Sequence, residues 1–365
     1  MRPGQVELKS TIGKIFSQSR PIKPNMQEPA EKSSRPSSLL KQAAASAFAV
    51  FLLWFAFKGT NLKELWHYSQ NVKPIPVILM FVTGIFGNFL RSYRWTVLLQ
   101  PLSAKKISQF NSFYAVNLGY AVNIAIPRGG EVVRLLSICK TEHLPWAGVL
   151  STMLIDRMLD IALLVALFGA TLTILPPELL ASMPWLKPGG LVLLAAVLVG
   201  LVVLPNTGTL LKKLLHLEFV KSKPHEKLRE KLLQLAEQFD TGTQSLKSPV
   251  LYPFIALLSV SIWFTYWLNF YQMVFGFGLE DQIDKLKCLI IFTIGSVGSL
   301  VPTPGSAGSF HLLVKEATIM TAHIPPNQAL AFATVLHFIT MIAISSLPAA
   351  IFFIYKRFFE KAPKN

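Results

Sequence analysis

Pro127-Arg128-Gly129-Gly130-Glu131 and Pro302-Thr303-Pro304-Gly305-Ser306-Ala307-Gly308 each cut through a long apolar stretch. Proline removes a backbone donor and glycine relaxes the limits on φ, so both interrupt helices. Inside a membrane segment such a break survives only where protein covers it or it lines a cavity, because unpaired peptide groups cannot face lipid. Two breaks at corresponding places in the halves of a chain point to a transport site between them.

Composition requires the membrane. Of 365 residues, 52% are hydrophobic and only 15% charged, with a mean hydropathy of +0.47, which is too apolar for a soluble fold. Apolar runs of roughly 20 residues, enough to cross a bilayer, lie at 38–57, 75–99, 145–175, 186–205, 250–275 and 327–355, with the interrupted stretches 107–140 and 283–323 between them. The expected fold is therefore an all-α polytopic membrane protein with six full spans and two broken, re-entrant helical hairpins. Residues 38–355 would form the membrane domain. Residues 1–37, rich in Pro, Ser, Lys and Arg, read as a disordered basic tail, and 356–365 as a basic C-terminal tail. Because about 40 polar residues precede the first apolar run, that run reads as a retained anchor rather than a cleaved signal.

Lys and Arg near spans collect on the cytoplasmic side. That rule places both termini inside, together with Arg91, Arg94, Lys105 and Lys106 after the second run and the Lys-rich segment 212–231. Glu178 and the cluster Glu280, Asp281 and Asp284 then fall outside. The 58–74 segment, with Lys58, Lys63 and Lys73, is the one violation. The first broken stretch would start and end inside and the second outside, so the order helix, hairpin, helix recurs over 75–175 and 250–355 as inverted repeats. Matching Pro127 to Pro304 offsets them by 177 residues (304 − 127). Segment 206–249 sets apolar Leu228, Leu232, Leu235 and Phe239 against charged residues. It reads either as a cytoplasmic amphipathic helix lying on the interface or as a packed linker.

Charges inside spans cost at least ~2.5 kcal/mol at a helix centre and face protein or water. In Leu154-Ile155-Asp156-Arg157-Met158-Leu159-Asp160 the carboxylates stand one turn apart, and Arg157 is spaced to reach Asp160. Asp156 lies roughly 16 Å along a helix from Pro145, within the bilayer. A structural ion pair and a functional role remain open for Asp160. In the first break Arg128, Glu131 and Arg134 follow at i+3 steps, so Glu131 is spaced to touch either arginine. Free amides at a helix start beside Gly129 and Gly130 suit an anion such as a lipid phosphate, and arginine offers phosphate a two-pronged donor. In the second break Pro304 fixes the turn, Gly305 and Gly308 permit unusual backbone, and Ser306 and Ser309 are placed to satisfy freed carbonyls. Lys315 shares a face with His311, as a snorkelling cation or a partner.

The motifs Pro-Arg-Gly-Gly-Glu-Val-Val-Arg at 127–134, Asp-Arg-Met-Leu-Asp at 156–160 and Pro-Thr-Pro-Gly-Ser-Ala-Gly at 302–308 occur in an order that resembles the lysylphosphatidylglycerol synthase/flippase membrane domain family over roughly residues 40–355. The resemblance implies a bacterial or archaeal inner-membrane protein that handles or translocates anionic, aminoacylated or polyprenyl-linked lipids. It also implies that Arg128, Glu131, Arg134, Arg157 and Asp160 line the lipid site. Asp156 stands where the family often has Glu, and His311 stands near a position that is often acidic. With no soluble domain after the final span, lysyl transfer by this chain is not expected.

No metal-ligand spacing or nucleotide-binding motif occurs, and no cofactor is expected. The +16 charge suits a membrane surface better than nucleic acid, since the basic residues cluster beside spans. The expected partner is a phospholipid or polyprenyl-phosphate lipid, with the oligomeric state open. The alternatives are an enzyme using these carboxylates as acid and base, and a non-catalytic membrane partner of an envelope biosynthetic enzyme.

Overall fold

The computed structural model describes residues 36–174, 186–203, 206–215, 226–248 and 250–359, and every regular element among them is helical. Of the expected N-terminal tail only Pro36 and Ser37 are described, at the start of the first helix, and 360–365 lie outside the described residues. The order is α1 (Pro36–Phe57), α2 (Leu62–Gln70), α3 (Pro74–Leu99), α4 (Gln109–Ala125), α5 (Gly129–Glu142), α6 (Trp146–Ile174), α7 (Leu186–Val203), α8 (Thr207–Leu215), α9 (Glu226–Gly242), α10 (Leu251–Gly276), α11 (Lys285–Gly298), α12 (Ser309–Ala322), α13 (Pro326–His337) and α14 (Ile344–Phe359).

Among the described residues, four segments are long and apolar enough to cross a membrane: Pro74–Leu102, Trp146–Ile174, Leu251–Gly276 and Pro326–Ile354. The chain is a multi-pass membrane protein. The apolar parts of α1 and α7, Ser46–Phe57 and Pro188–Val197, are shorter. Helix α9 is packed, lying against α6 and α8 with Ala236 fully buried.

Both interrupted stretches fold back on themselves. Near the tip of the first, the Gly130 N–H donates to Asn123 Oδ1 (2.9 Å), and at its open end Asn111 Nδ2 donates to Glu142 Oε1 (2.6 Å). Helices α4 and α5 are therefore antiparallel. Their 17 and 14 residues reach only about 25 and 21 Å, short of a ~30 Å hydrocarbon core. Close approach decides the contact: a Cβ on Gly130 would collide with the Gly119 carbonyl. Gly130→Val should lower the melting midpoint of the detergent-solubilised protein, since overpacking costs ~1–3 kcal/mol; unchanged melting would argue against so tight a hairpin. In the second hairpin Ser309 Oγ donates to the Gly298 carbonyl (2.8 Å) and Ser306 Oγ to the Ser299 carbonyl (3.4 Å). These bonds satisfy groups that the break frees.

The helices that precede the hairpins, α3 and α10, are packed antiparallel along their lengths. The Lys73 N–H bonds the Gly276 carbonyl at one end (2.9 Å), Thr83 Oγ1 bonds Asn269 Oδ1 midway (2.7 Å), and Arg94 Nη1 bonds Ser259 Oγ toward the other end (2.8 Å). The hairpins consequently enter from opposite ends and meet at their tips, where a Cβ on Gly305 would stand 3.6 Å from the Ile124 Cα. Packing is reciprocal: α6 lies on α11, and α14 lies on α4. One apolar cluster surrounds each hairpin, with Trp95, Leu98, Ile138 and Ile155 at the first and Phe270, Phe292, Phe310 and Phe332 at the second.

Matching local chemistry ends these helices. Ser108 caps α4 and Asp284 caps α11. His143 and His323, left-handed at φ 53° and 54°, terminate α5 and α12. His143-Leu144-Pro145 and His323-Ile324-Pro325 stand 180 positions apart (323 − 143), so past the tips the offset differs from the 177 expected from the prolines. The π-helical turn Phe338–Ala343 joins α13 to α14. Pro348 inside α14 leaves the Ile344 carbonyl without its helical donor, and Asn88 Nδ2 approaches that oxygen at 3.5 Å.

Candidate functional site

Behind the first hairpin lies a buried charge cluster on three helices. From α3, Arg94 is wholly buried and donates through Nε (3.0 Å) and Nη2 (2.6 Å) to Asp156 Oδ1, through Nη2 to Asp160 Oδ1 (2.7 Å) and through Nη1 to Ser259 Oγ. Arg91, one turn earlier, pairs with Asp160 Oδ2, lies 3.5 Å from Asp156 Oδ2 and donates to the Tyr266 hydroxyl (3.0 Å). From α5, Arg134 donates through Nη1 to Asp156 Oδ2 (3.2 Å). Its guanidinium carbon stands 3.8 Å from the centre of the Trp95 ring, whose indole N–H is held by Thr152 (3.1 Å). A wholly buried Asp156 on α6 thus bridges three arginines.

Three guanidinium groups face two carboxylates here, a net +1. The donor count is also unbalanced, since Arg134 Nε and Nη2 are buried with no acceptor and Arg91 Nε is likewise unpartnered. Buried donors of a charged group normally find acceptors, and these three have none.

Arg134 borders a cavity of about 190 Å³ between α5 and α6, lined by Arg128, Glu131, Val132, Arg134, Leu135, Leu150, Met153, Leu154 and Arg157. Arg128 caps α5 with left-handed φ 60°, a conformation uncommon for a residue with a side chain. Across the cavity Arg157 Nη2 pairs with Glu131 Oε1 at 2.7 Å, both half-exposed. The cavity therefore combines a cationic rim with an apolar wall.

Of the residues singled out from sequence, Arg128, Glu131, Arg134 and Arg157 share this cavity, and Gly129 and Gly130 open the helix beneath it. Asp156 and Asp160 stand behind it in the charge cluster. The pairing differs from the spacing-based expectation: Arg157 reaches Glu131, not Asp160, and Arg134 reaches Asp156, not Glu131. Arg91 and Arg94, read as loop charges, are buried instead. Their i, i+3 spacing inside the apolar run 75–99, matched to carboxylates one turn apart at 156 and 160, was the available signal.

Pro304, Gly305 and Gly308 form the other tip, away from the cavity. Gly305 (φ 55°) faces Ile124, and Gly308 (φ 87°) packs on α1, where an added Cβ would come within 2.8 Å of the Ala49 carbonyl. Lys315 is buried and donates to the Ala56 carbonyl (3.0 Å), tying α12 to the end of α1. Cys139 and Cys288 are both free thiols. Among the described residues no group of His, Cys, Asp and Glu side chains is arranged to hold a metal ion.

The family model described as "Lysylphosphatidylglycerol synthase TM region" matches residues 42–347. A UPF0104 membrane protein of Methanocaldococcus jannaschii is 29% identical over 120 residues, covering 32% of this chain and 35% of that protein. The aligned part thus spans about a third of the relative's length. No solved structure matches.

Proposed function

The chain belongs to the lysylphosphatidylglycerol synthase TM region family, and from that premise we propose that it binds anionic or polyprenyl-linked lipids and moves them across the membrane. The observation that carries this reading is Arg134. It is buried against Trp95, with two guanidinium donors lacking acceptors, beside a cavity that also holds Arg128 and Arg157. A phosphate or pyrophosphate headgroup supplies the missing acceptors and the missing negative charge, and arginine forks match its oxygens. Glu131 fixes Arg157 through one of its five donors, leaving the others for the ligand. Val132, Leu135, Leu150, Met153 and Leu154 offer the first part of the hydrocarbon chain an apolar wall.

The antiparallel α3 and α10, the opposed hairpins and the paired His-[Leu/Ile]-Pro segments support reading the halves as inverted repeats. In such transporters access alternates by movement of one repeat against the other around a central site. Pro304, Gly305 and Gly308 would then serve at the moving tip. We place the protein in an inner (plasma) membrane with both termini cytoplasmic, following its positive charges. Binding is favoured over acid–base chemistry because Asp156, Asp160 and Glu131 are all committed to arginines.

Mass spectrometry of lipids that co-purify in mild detergent tests the reading. The native protein should enrich one class of anionic or polyprenyl-phosphate lipid over the bulk membrane, and Arg128→Ala and Arg157→Ala should each reduce that enrichment roughly tenfold, the loss of one good charge-assisted contact. Bulk composition in all three samples would overturn it.

A further inference from the structure

Opposite the arginine site, a buried pair of histidines joins the second hairpin to α13. The rings of His311 on α12 and His337 on α13 lie 4.5 Å apart between centroids, and the residues are 5% and 7% exposed. Each holds one of the tip glycines. His337 Nε2 stands 2.7 Å from the Gly305 carbonyl, and because a carbonyl only accepts, that nitrogen carries the hydrogen. His311 Nδ1 accepts from the Gly308 N–H at 3.4 Å, so that nitrogen is bare. The two imidazoles thus clamp both sides of Ser306-Ala307 in the strained turn that touches Ile124.

We infer that His311 and His337 form a proton-binding site whose occupation opens the tip of the second hairpin, making the proton the coupling species for its movement. In this arrangement the unprotonated nitrogen of His311 is Nδ1, the acceptor of the Gly308 N–H. A proton there removes the acceptor of the Gly308 N–H and places a cation at the N-terminus of α12, where the helix dipole is already positive. A proton on His337 Nδ1 puts a charge against the neighbouring imidazole. Neither charge is compensated by the surroundings. From α12 the pair meets Phe310; Lys315, one turn on from His311, is turned to the Ala56 carbonyl and lies 4.0 Å from Glu316. Helix α1 contributes the Phe57 ring and the Ala56 carbonyl that holds Lys315. The tip contributes the backbone of Gly305 and Gly308. Among the described residues neither ring has an ion pair. A charged imidazole is therefore stable only when the tip swings into water, where it regains its ordinary affinity.

The 180-residue offset gives the pair a counterpart. It sets His311 opposite Glu131 and His337 opposite Arg157, the ion pair between the first hairpin and α6. One half thus holds a salt bridge where the other holds a titratable couple, a reason for one half to sense protons while the other holds an anion. That extension to lipid movement rests on the transport reading above; the opening of the tip does not.

The test places one thiol at the tip, Ala307→Cys, in the full chain with Cys139→Ala and Cys288→Ala. Its maleimide labelling rate is divided by that of the same protein unfolded at the same pH, which cancels thiol ionisation. Between pH of about 8 and about 5 the ratio should rise roughly 30-fold, the shift produced by one imidazole of ordinary pKa ~6.5 protonated only in the open tip. His311→Asn and His337→Asn should each flatten the profile. A flat profile in the protein with both histidines overturns the inference, as does a rise that persists in both variants. If the variants do not fold, the profile of the protein retaining both histidines still decides. A flat profile alongside retained, arginine-dependent lipid enrichment sinks the proton site alone. Tip opening on acidification without any lipid enrichment sinks the lipid reading alone.

Discussion

Asp156→Asn should yield little or no monodisperse protein after detergent extraction, whereas Glu131→Gln should extract and melt like the native chain. Asp156 is fully buried and touches Arg91, Arg94 and Arg134 at 3.5, 2.6 and 3.2 Å. Neutralising it leaves three buried guanidinium groups facing Asp160 alone, a net +2. Breaking a buried ion pair by removing one partner costs ~3–5 kcal/mol, because the other charge stays buried and uncompensated. Glu131 and Arg157 form a half-exposed pair, and such pairs contribute ~0–1 kcal/mol. Size-exclusion profiles and thermal midpoints of the two variants decide the matter. A midpoint for Asp156→Asn within a degree or two of native would mean that the cluster does not hold α3, α5 and α6 together. The contrast separates the carboxylate that holds the helices together from the one that pairs with Arg157 at the cavity.

Locking the two hairpin tips together should abolish lipid movement reversibly. A Cβ on Gly305 would lie 3.6 Å from the Ile124 Cα and 3.9 Å from its Cγ2, which sets the Ile124 Cβ, bonded to both, close to the ~3.5–4.5 Å Cβ separation of a disulfide. Ile124→Cys with Gly305→Cys, in the background lacking Cys139 and Cys288, should therefore cross-link on mild oxidation. In liposomes, translocation of a fluorescent phosphatidylglycerol should fall to the protein-free rate in the oxidised state and recover on reduction. Full cross-linking with undiminished translocation would show that the tips need not separate. That outcome would remove the proposed alternating-access mechanism and leave the proposed headgroup site untouched.

How much of this was legible beforehand differs by feature. The two breaks were readable because proline and glycine act locally: Pro127, Gly129 and Gly130 interrupt one hairpin and Pro302 to Gly308 the other, and the structure turns at both. The cavity residues Arg128, Glu131, Arg134 and Arg157 were readable because few charges occur in the spans, and each charge in a span demands a partner. Their pairings were not, since i+3 spacing allows contact within a helix but a nearer partner on a neighbouring helix wins. Arg91 and Arg94 were misplaced for a related reason. The rule that assigns basic residues to cytoplasmic loops counts charges near span ends and takes no account of carboxylates waiting on another helix.

Sequence by itself determined that this is a helical multi-pass membrane protein with two interrupted segments and a few costly intramembrane charges, because solvation of apolar surface and backbone breaks depend on residue type and local order. Only the tertiary structure decided that α3 and α10 run antiparallel, that the hairpin tips meet at Ile124 and Gly305, that Asp156 gathers three arginines, and that His311 stands against His337. Those are contacts between residues from 22 to more than 200 positions apart, where close packing and the cost of an unpaired buried charge select one arrangement among many that local sequence allows.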